Sequence, residues 1–153
     1  MKQQFIQAFM DVAMRFSELS HARRLKVGAL VVKENNIISF SWNGMPAGWD
    51  NNCEDETVEL YSGYEGAIHR TVLKTKPEVC HAETNAIAKL AKSTESGANA
   101  TMFITHSPCL DCAKLIFQSG IKHVFYSEEY RDDTGTKFLK KSGIAVTRVD
   151  HNV

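Results

Sequence analysis

The chain is predicted to fold as an α/β domain in which helices cover both faces of a mixed, mostly parallel β-sheet. Three observations lead there. Apolar residues recur at helical spacing through the first twenty positions. Two strand-like apolar runs then follow each other across a short turn. From residue 81 onward helical and strand-like segments alternate, the pattern that lays parallel strands side by side beneath helices.

Taken in order, Phe5, Phe9, Val12, Phe16 and Leu19 mark an amphipathic helix over residues 1–20. Residues 27–32 read as a strand, Glu34, Asn35 and Asn36 as a turn, and residues 37–42 as the hairpin partner. Asn43, Gly44, Met45, Pro46, Ala47 and Gly48 are dense in turn formers and make a loop. Residues 49–78 are polar and weakly periodic, and are read as an excursion at a site mouth or a subunit contact. The alanine-rich run 81–92 favours a helix that ends before Gly97. A strand over 101–105 precedes a helix starting at Pro108 or Cys109 and ending at Gln118. Proline suits a first helical position, and Ser119 and Gly120 supply the stop. A strand (123–126), a helix (135–141) and a last strand (144–149) complete the chain. With 153 residues and no internal repeat, one domain over 1–153 is expected.

Composition narrows the function. Eighteen basic residues balance eighteen acidic ones, so the formal net charge is zero. Proteins that grip a phosphate backbone carry a basic excess or stripe, so a small substrate is favoured over a long nucleic acid. No stretch approaches the roughly 20 apolar residues that span a bilayer, and residues 1–5 lack the apolar run of a secretory signal. A cytoplasmic protein without a membrane partner is expected, and its four cysteines then point to metal or redox chemistry before disulfides.

The chemistry is carried by His81-Ala82-Glu83 and, downstream, Pro108-Cys109-Leu110-Asp111-Cys112. One histidine and two cysteines offer three ligands to zinc and leave the fourth tetrahedral position for water, as a catalytic zinc requires. Both motifs fall at predicted helix N-termini, where free N–H groups and the helix dipole stabilise thiolates. A three-residue spacing puts Cys109 and Cys112 on one face of a first turn, within reach of one ion. Zinc so held lowers the pKa of a bound water to about 7. Glu83, two residues after the histidine, is the natural proton carrier.

Other readings of these residues are weaker. A lone C-x-x-C is also the pattern of a redox pair, but the upstream His81-Ala82-Glu83 argues for metal. A closed structural zinc would recruit Cys80, yet sequence neighbours on a helix point to different sides. Cys80 is therefore expected to be a buried thiol. Cys53 fits no ligand template with His69 or Cys80 and is read as an ordinary thiol. His21, His69, His123 and His151 lack partner motifs, whereas His106, just before the cysteine loop, is a candidate pocket residue.

H-x-E followed by P-C-x-x-C is the signature of zinc-dependent nucleobase deaminases. Together with Val27-Gly28-Ala29, the loop Trp42 to Gly48, Thr84-Asn85-Ala86 and Ser119-Gly120-Ile121, it makes the chain resemble the deoxycytidylate (dCMP) deaminases of the cytidine deaminase superfamily, closest to phage and bacterial members. The resemblance covers most of the chain. It implies a three-layer α/β/α fold on a five-stranded mixed sheet. It also implies hydrolysis of dCMP to dUMP and ammonia for thymidylate synthesis, in the host cytoplasm for a phage protein. One zinc ion per chain is implied on His81, Cys109 and Cys112, with Glu83 shuttling the proton.

The same resemblance implies substrate contacts from Arg24, which suits a 5′-phosphate, and from Asn43, Asn85, Tyr130 and His106. Many members are homohexamers activated by dCTP and inhibited by dTTP, with Mg2+ accompanying the effector nucleotide. Gly44, Met45, Pro46, Ala47 and Gly48 resemble that effector element, because glycines let backbone N–H groups approach phosphates. Trp42 stands where many members have tyrosine.

The rival enzyme is a deaminase acting on tRNA adenosine or single-stranded cytosine, which needs a basic groove and aromatic platforms. Net neutrality and the Asn43-Gly44 loop argue against it. Free cytidine deaminases usually use cysteine in place of His81. A non-catalytic nucleotide or zinc module has no use for an intact Glu83.

Overall fold

The computed structural model describes residues 1–150; positions 151–153, His151 among them, lie outside the described residues. The first amphipathic segment forms α1 (Gln3–Ser17). Its most buried side chains are Ile6, Met10 and Ala13. The expected stripe lies to one side of that line, leaving Phe5 38% and Leu19 50% exposed. The reason is a close approach to the first strand. A Cβ on Gly28 would sit 2.1 Å from the Ala13 carbonyl, so the helix turns its smallest side chain to the sheet.

Strands β1 (Gly28–Lys33) and β2 (Asn36–Trp42) pair antiparallel across Glu34 and Asn35. Both turn residues have positive φ, 51° and 62°, as the type I′ hairpin twist demands. Residues 49–78, read from the sequence as an irregular excursion, contain a second hairpin, β3 (Glu54–Gly63) and β4 (Gly66–Thr75). It forms a separate two-stranded sheet. Both of its faces are largely solvated, so no one-sided apolar alternation marked it. Then follow α2 (Ala82–Ala91), β5 (Thr101–His106), α3 (Leu110–Gln118), β6 (His123–Glu128), α4 (Thr134–Lys141) and β7 (Ala145–Arg148).

The main sheet has five strands in the order β2-β1-β5-β6-β7. It is mixed, but only half of its pairings are parallel, which corrects the mostly parallel expectation. β1 runs antiparallel to both β2 and β5, whereas β5, β6 and β7 run parallel. The chain leaves the β1–β2 hairpin, passes through α2 and returns β5 beside β1 in the opposite sense. The two later crossovers through α3 and α4 restore the parallel rule.

Alternate residues along the strands feed two cores. Leu30, Val32, Phe103 and Phe125 meet Ile6, Met10 and Ala13 of α1 on one face. Ala29, Val31, Met102, Ile104 and Val124 meet α2, α3 and α4 through Ala86, Leu90, Ala113, Ile116 and Leu139 on the other. The result is a three-layer α/β/α sandwich. Helices α2 and α3, on the same face, bring their N-termini to the carboxyl ends of β5 and β6, where parallel sheets open their binding crevices. Among the described residues no helix is long and apolar enough to cross a membrane.

Candidate active site

The three predicted ligands converge. His81 is the N-cap of α2 and Cys109 the N-cap of α3, each in extended backbone, with Cys112 one turn into α3. Pro108 therefore precedes the cap instead of opening the helix. Nδ1 of His81 lies 3.7 Å from Cys109 Sγ and 3.4 Å from Cys112 Sγ. All three donor atoms are within 4.8 Å of one another, the one such cluster among the described residues. A tetrahedral zinc with ordinary Zn–N and Zn–S bonds sets its ligand atoms roughly 3.6 Å apart. The observed spacings fit that polyhedron. Cys80, by contrast, pairs its backbone with Gly44 and directs its thiol to the Glu78 carbonyl, outside the cluster.

Local electrostatics suit a thiolate site. Cys109 Sγ accepts from the Cys112 backbone N–H at 3.5 Å, an N-cap bond made by sulfur. Its thiol is pulled down to about 4 by a hydrogen bond from Cys112, then by His81, against the opposing effect of burial. Cys112 is held above the usual thiol range, first by its hydrogen bond to Cys109 and then by burial. His81 is raised by its hydrogen bond to Cys109.

Glu83 sits in the first turn of α2 and is 5% exposed. Burial pushes its carboxyl up to about 7, outweighing the lowering effects of its own backbone N–H and of His81. A carboxyl poised there takes up and returns a proton near neutrality. The helix start is held down from the sheet side, where the Ser41 hydroxyl donates to the Ala82 carbonyl and Ser39 donates to that of Ala86 at 2.8 Å.

A cavity of about 510 Å³ opens over this group, within the size range of small-molecule sites. His81, Glu83 and Cys109 line it together with Arg24, Asn43, His106 and Tyr130, so four of the five predicted substrate residues reach the same space. Asn85 does not. Two helical residues beyond Glu83, it faces the other way, donates its amide to the Trp42 carbonyl at 2.9 Å and lines a second cavity. Asn43 is buried and already committed: its amide accepts from the Val27 N–H and donates to the Leu25 carbonyl, both at 2.9 Å. His106 is tied through Nδ1 to Thr105 Oγ1 at 3.0 Å, and burial lowers its pKa. Tyr130 is placed by its backbone N–H donating to Ser107 Oγ at 2.7 Å.

The cavity also holds residues that the sequence did not single out: Glu54, Thr75, Ser107, Glu128, Glu129 and Arg131. Ser107 and Arg131 adjoined flagged positions. Glu54 and Thr75 come from the unforeseen hairpin and carried no signal. Arg24 and Arg131 are the guanidinium groups on the lining. The second cavity, about 320 Å³, is lined by Gly44, Met45, Pro46 and Ala47 with Lys89 and Lys92; Gly48 is not on its wall.

A three-layer mixed-sheet fold with a His–Cys–Cys cluster at two helix N-termini and a buried glutamate beside it defines a metal-dependent hydrolytic deaminase. Residues 3–128 match the cytidine and deoxycytidylate deaminase zinc-binding region, and the chain belongs to that family. It is 35% identical over 169 residues to the deoxycytidylate deaminase of Enterobacteria phage T4, covering 92% of this chain and 87% of that protein. Identity to the Homo sapiens deoxycytidylate deaminase is 39% over 127 residues, 81% of this chain and 65% of the human protein. Among solved structures, the dCMP deaminase of cyanophage S-TIM5 in complex with dCMP and dUMP superposes with a TM-score of 0.84 at 41% identity. That match covers 97% of this chain and 99% of the cyanophage one.

Proposed function

We propose that the chain deaminates dCMP hydrolytically to dUMP and ammonia, within one domain over 1–153, in the cytoplasm, supplying dUMP for thymidylate synthesis. The observation that carries this reading is the buried Glu83 beside the three-donor cluster, at the floor of a cavity whose lining includes Arg24 and Arg131. His81, Cys109 and Cys112 would hold a zinc ion, which would supply the Lewis acidity that makes water nucleophilic at neutral pH. Glu83 takes a proton from the attacking water and delivers it to N3 of the cytosine. It then takes the second proton from the oxygen now bonded to C4 and passes it to the amine, so that the C4–N bond breaks, the C4 carbonyl forms and ammonia leaves. Arg24 meets the 5′-phosphate, where a guanidinium offers paired donors. His106 and Tyr130 close the cavity around the nucleoside. Asn43 acts mainly by tying down residues 25–27, and Asn85 by fixing the end of β2.

Regulation belongs to the same reading. The loop carrying Gly44, Met45, Pro46, Ala47 and Gly48 borders a cavity with two lysines, suited to a nucleoside triphosphate. dCTP with Mg2+ would activate there and dTTP would inhibit, in a hexameric assembly. The test is ammonia release from dCMP, deoxycytidine, dCTP and a single-stranded oligonucleotide, with dCTP or dTTP added to the dCMP reaction. Preference for dCMP, raised by dCTP and suppressed by dTTP, supports the proposal. Preference for the oligonucleotide would move the chain to the polynucleotide-deaminase class.

A further inference from the structure

The β3–β4 hairpin joins the cavity only at its root, and there two residues stand directly opposite each other in register, Glu54 and Thr75. Glu54 is 1% exposed. A carboxylate so deeply placed is costly unless its oxygens are met by donors. Oε1 accepts the backbone N–H groups of Arg23 at 2.7 Å and Arg24 at 3.1 Å. Oε2 has no hydrogen-bond partner and faces Arg23 Nε at 3.5 Å. Across the register pair, Thr75 Oγ1 accepts from Arg24 Nη1 at 3.0 Å. One rung of the hairpin therefore grips Arg24 at both ends, backbone and guanidinium.

The neighbouring arginine is disposed differently. Arg23 directs its guanidinium along the hairpin, to Glu56 and Asn52, and does not line the cavity. Of two adjacent arginines, the hairpin root occupies one and turns the other to the substrate space. We infer that Glu54 and Thr75 are positioning residues that aim Arg24 at the phosphate of the substrate, making the hairpin a specificity element for the monophosphate. This rests on the reading of the cavity as a nucleoside monophosphate site.

Steady-state kinetics on dCMP and deoxycytidine test it, with zinc content and melting temperature recorded for every variant. Thr75→Val deletes only the acceptor for the guanidinium. It is expected to raise KM for dCMP about tenfold, the scale of one hydrogen bond to a charged group, with a smaller change in kcat. The dCMP-to-deoxycytidine ratio of kcat/KM falls by the same factor, and Thr75→Ser restores it. Glu54→Gln, which replaces one acceptor oxygen by a donor, lowers the ratio as well; if it does not fold, the Thr75 pair decides alone. Equal effects on both substrates, or none, would overturn the inference. Arg24→Ala separates the two levels. An unchanged substrate ratio in Arg24→Ala sinks the phosphate reading and the inference with it. A collapsed ratio there, with Thr75→Val like wild type, sinks the inference alone.

Discussion

Gly135→Ala probes how the fold holds the cysteine loop. Gly135 lies in the first turn of α4, packed on the Pro108–Cys109 peptide. A Cβ there would stand 2.0 Å from the Pro108 carbonyl oxygen and 2.9 Å from both C and O of Cys109. An ordinary contact needs roughly 3.4 Å, so α4 and the loop must part by about 1.4 Å. Every clashing atom belongs to the backbone, so no rotamer change relieves the overlap. For stability two terms oppose: overpacking costs about 1–3 kcal/mol, while replacing a helical glycine by alanine returns up to about 1. Melting temperature is therefore a blunt readout. The site is a sharper one, because the displaced peptide carries Cys109, a proposed zinc ligand, and a misplacement of about 1 Å costs on the order of 10²-fold in rate. Competition with a chromophoric chelator should show at least tenfold weaker zinc binding, and dCMP turnover at saturating zinc should fall about 100-fold. Wild-type zinc affinity together with wild-type turnover would refute the account of how α4 seats the loop.

Three further outcomes follow from the same geometry. Gly28→Ala places a Cβ 2.1 Å from the Ala13 carbonyl and 2.8 Å from the Ser17 nitrogen, against the backbone of α1. It should lose about 1–3 kcal/mol and melt roughly 2–10 °C lower in calorimetry, without loss of zinc; an unchanged melting point would contradict the α1–β1 packing. Stripping zinc with a chelator should abolish ammonia release and lower the melting temperature, and zinc added back should restore both; activity in metal-free protein would remove the metal from the reaction. The Glu54 carboxyl is raised by burial but lowered more by the N–H groups of Arg24 and Arg23, so its folded pKa lies below the unfolded value of about 4.3. Its stabilisation is thus present above that value and fades as pH falls through the folded pKa. Denaturant midpoints of wild type and Glu54→Gln should differ at pH 6 and converge toward pH 3; a gap that widens on acidification would reverse the sign.

How much was legible in the sequence depends on how each feature is encoded. The clustering of His81, Cys109 and Cys112 was readable because the motifs place these residues at short spacing at helix starts, and helix geometry turns spacing into proximity. The β1–β2 hairpin was readable through the continuous apolar run of β1, buried on both faces, and an Asn-containing turn. The β3–β4 hairpin was hidden: Val58, Leu60, Tyr61 and Ile68 remain exposed, so no core face imposed a period on it. Gly63 and Gly66, flanking a two-residue turn, were the available signal. Glu54 and Thr75 reach the cavity only through that hairpin and were lost with it. Asn85 shows the opposite fault, since an offset of two from Glu83 already turns its side chain to the far side of α2. The face of α1 depended on Gly28, a contact remote in sequence.

The most direct test of the central claim measures dUMP formation from dCMP and bound zinc together, in wild type and in Glu83→Gln. That substitution keeps the shape of the side chain and removes its proton traffic, leaving His81, Cys109 and Cys112 in place. The account predicts one zinc per chain in both proteins, turnover of dCMP by wild type, and at least a 10²-fold loss in the variant. Undiminished turnover in Glu83→Gln, or a zinc-loaded wild type that leaves dCMP intact, would contradict it.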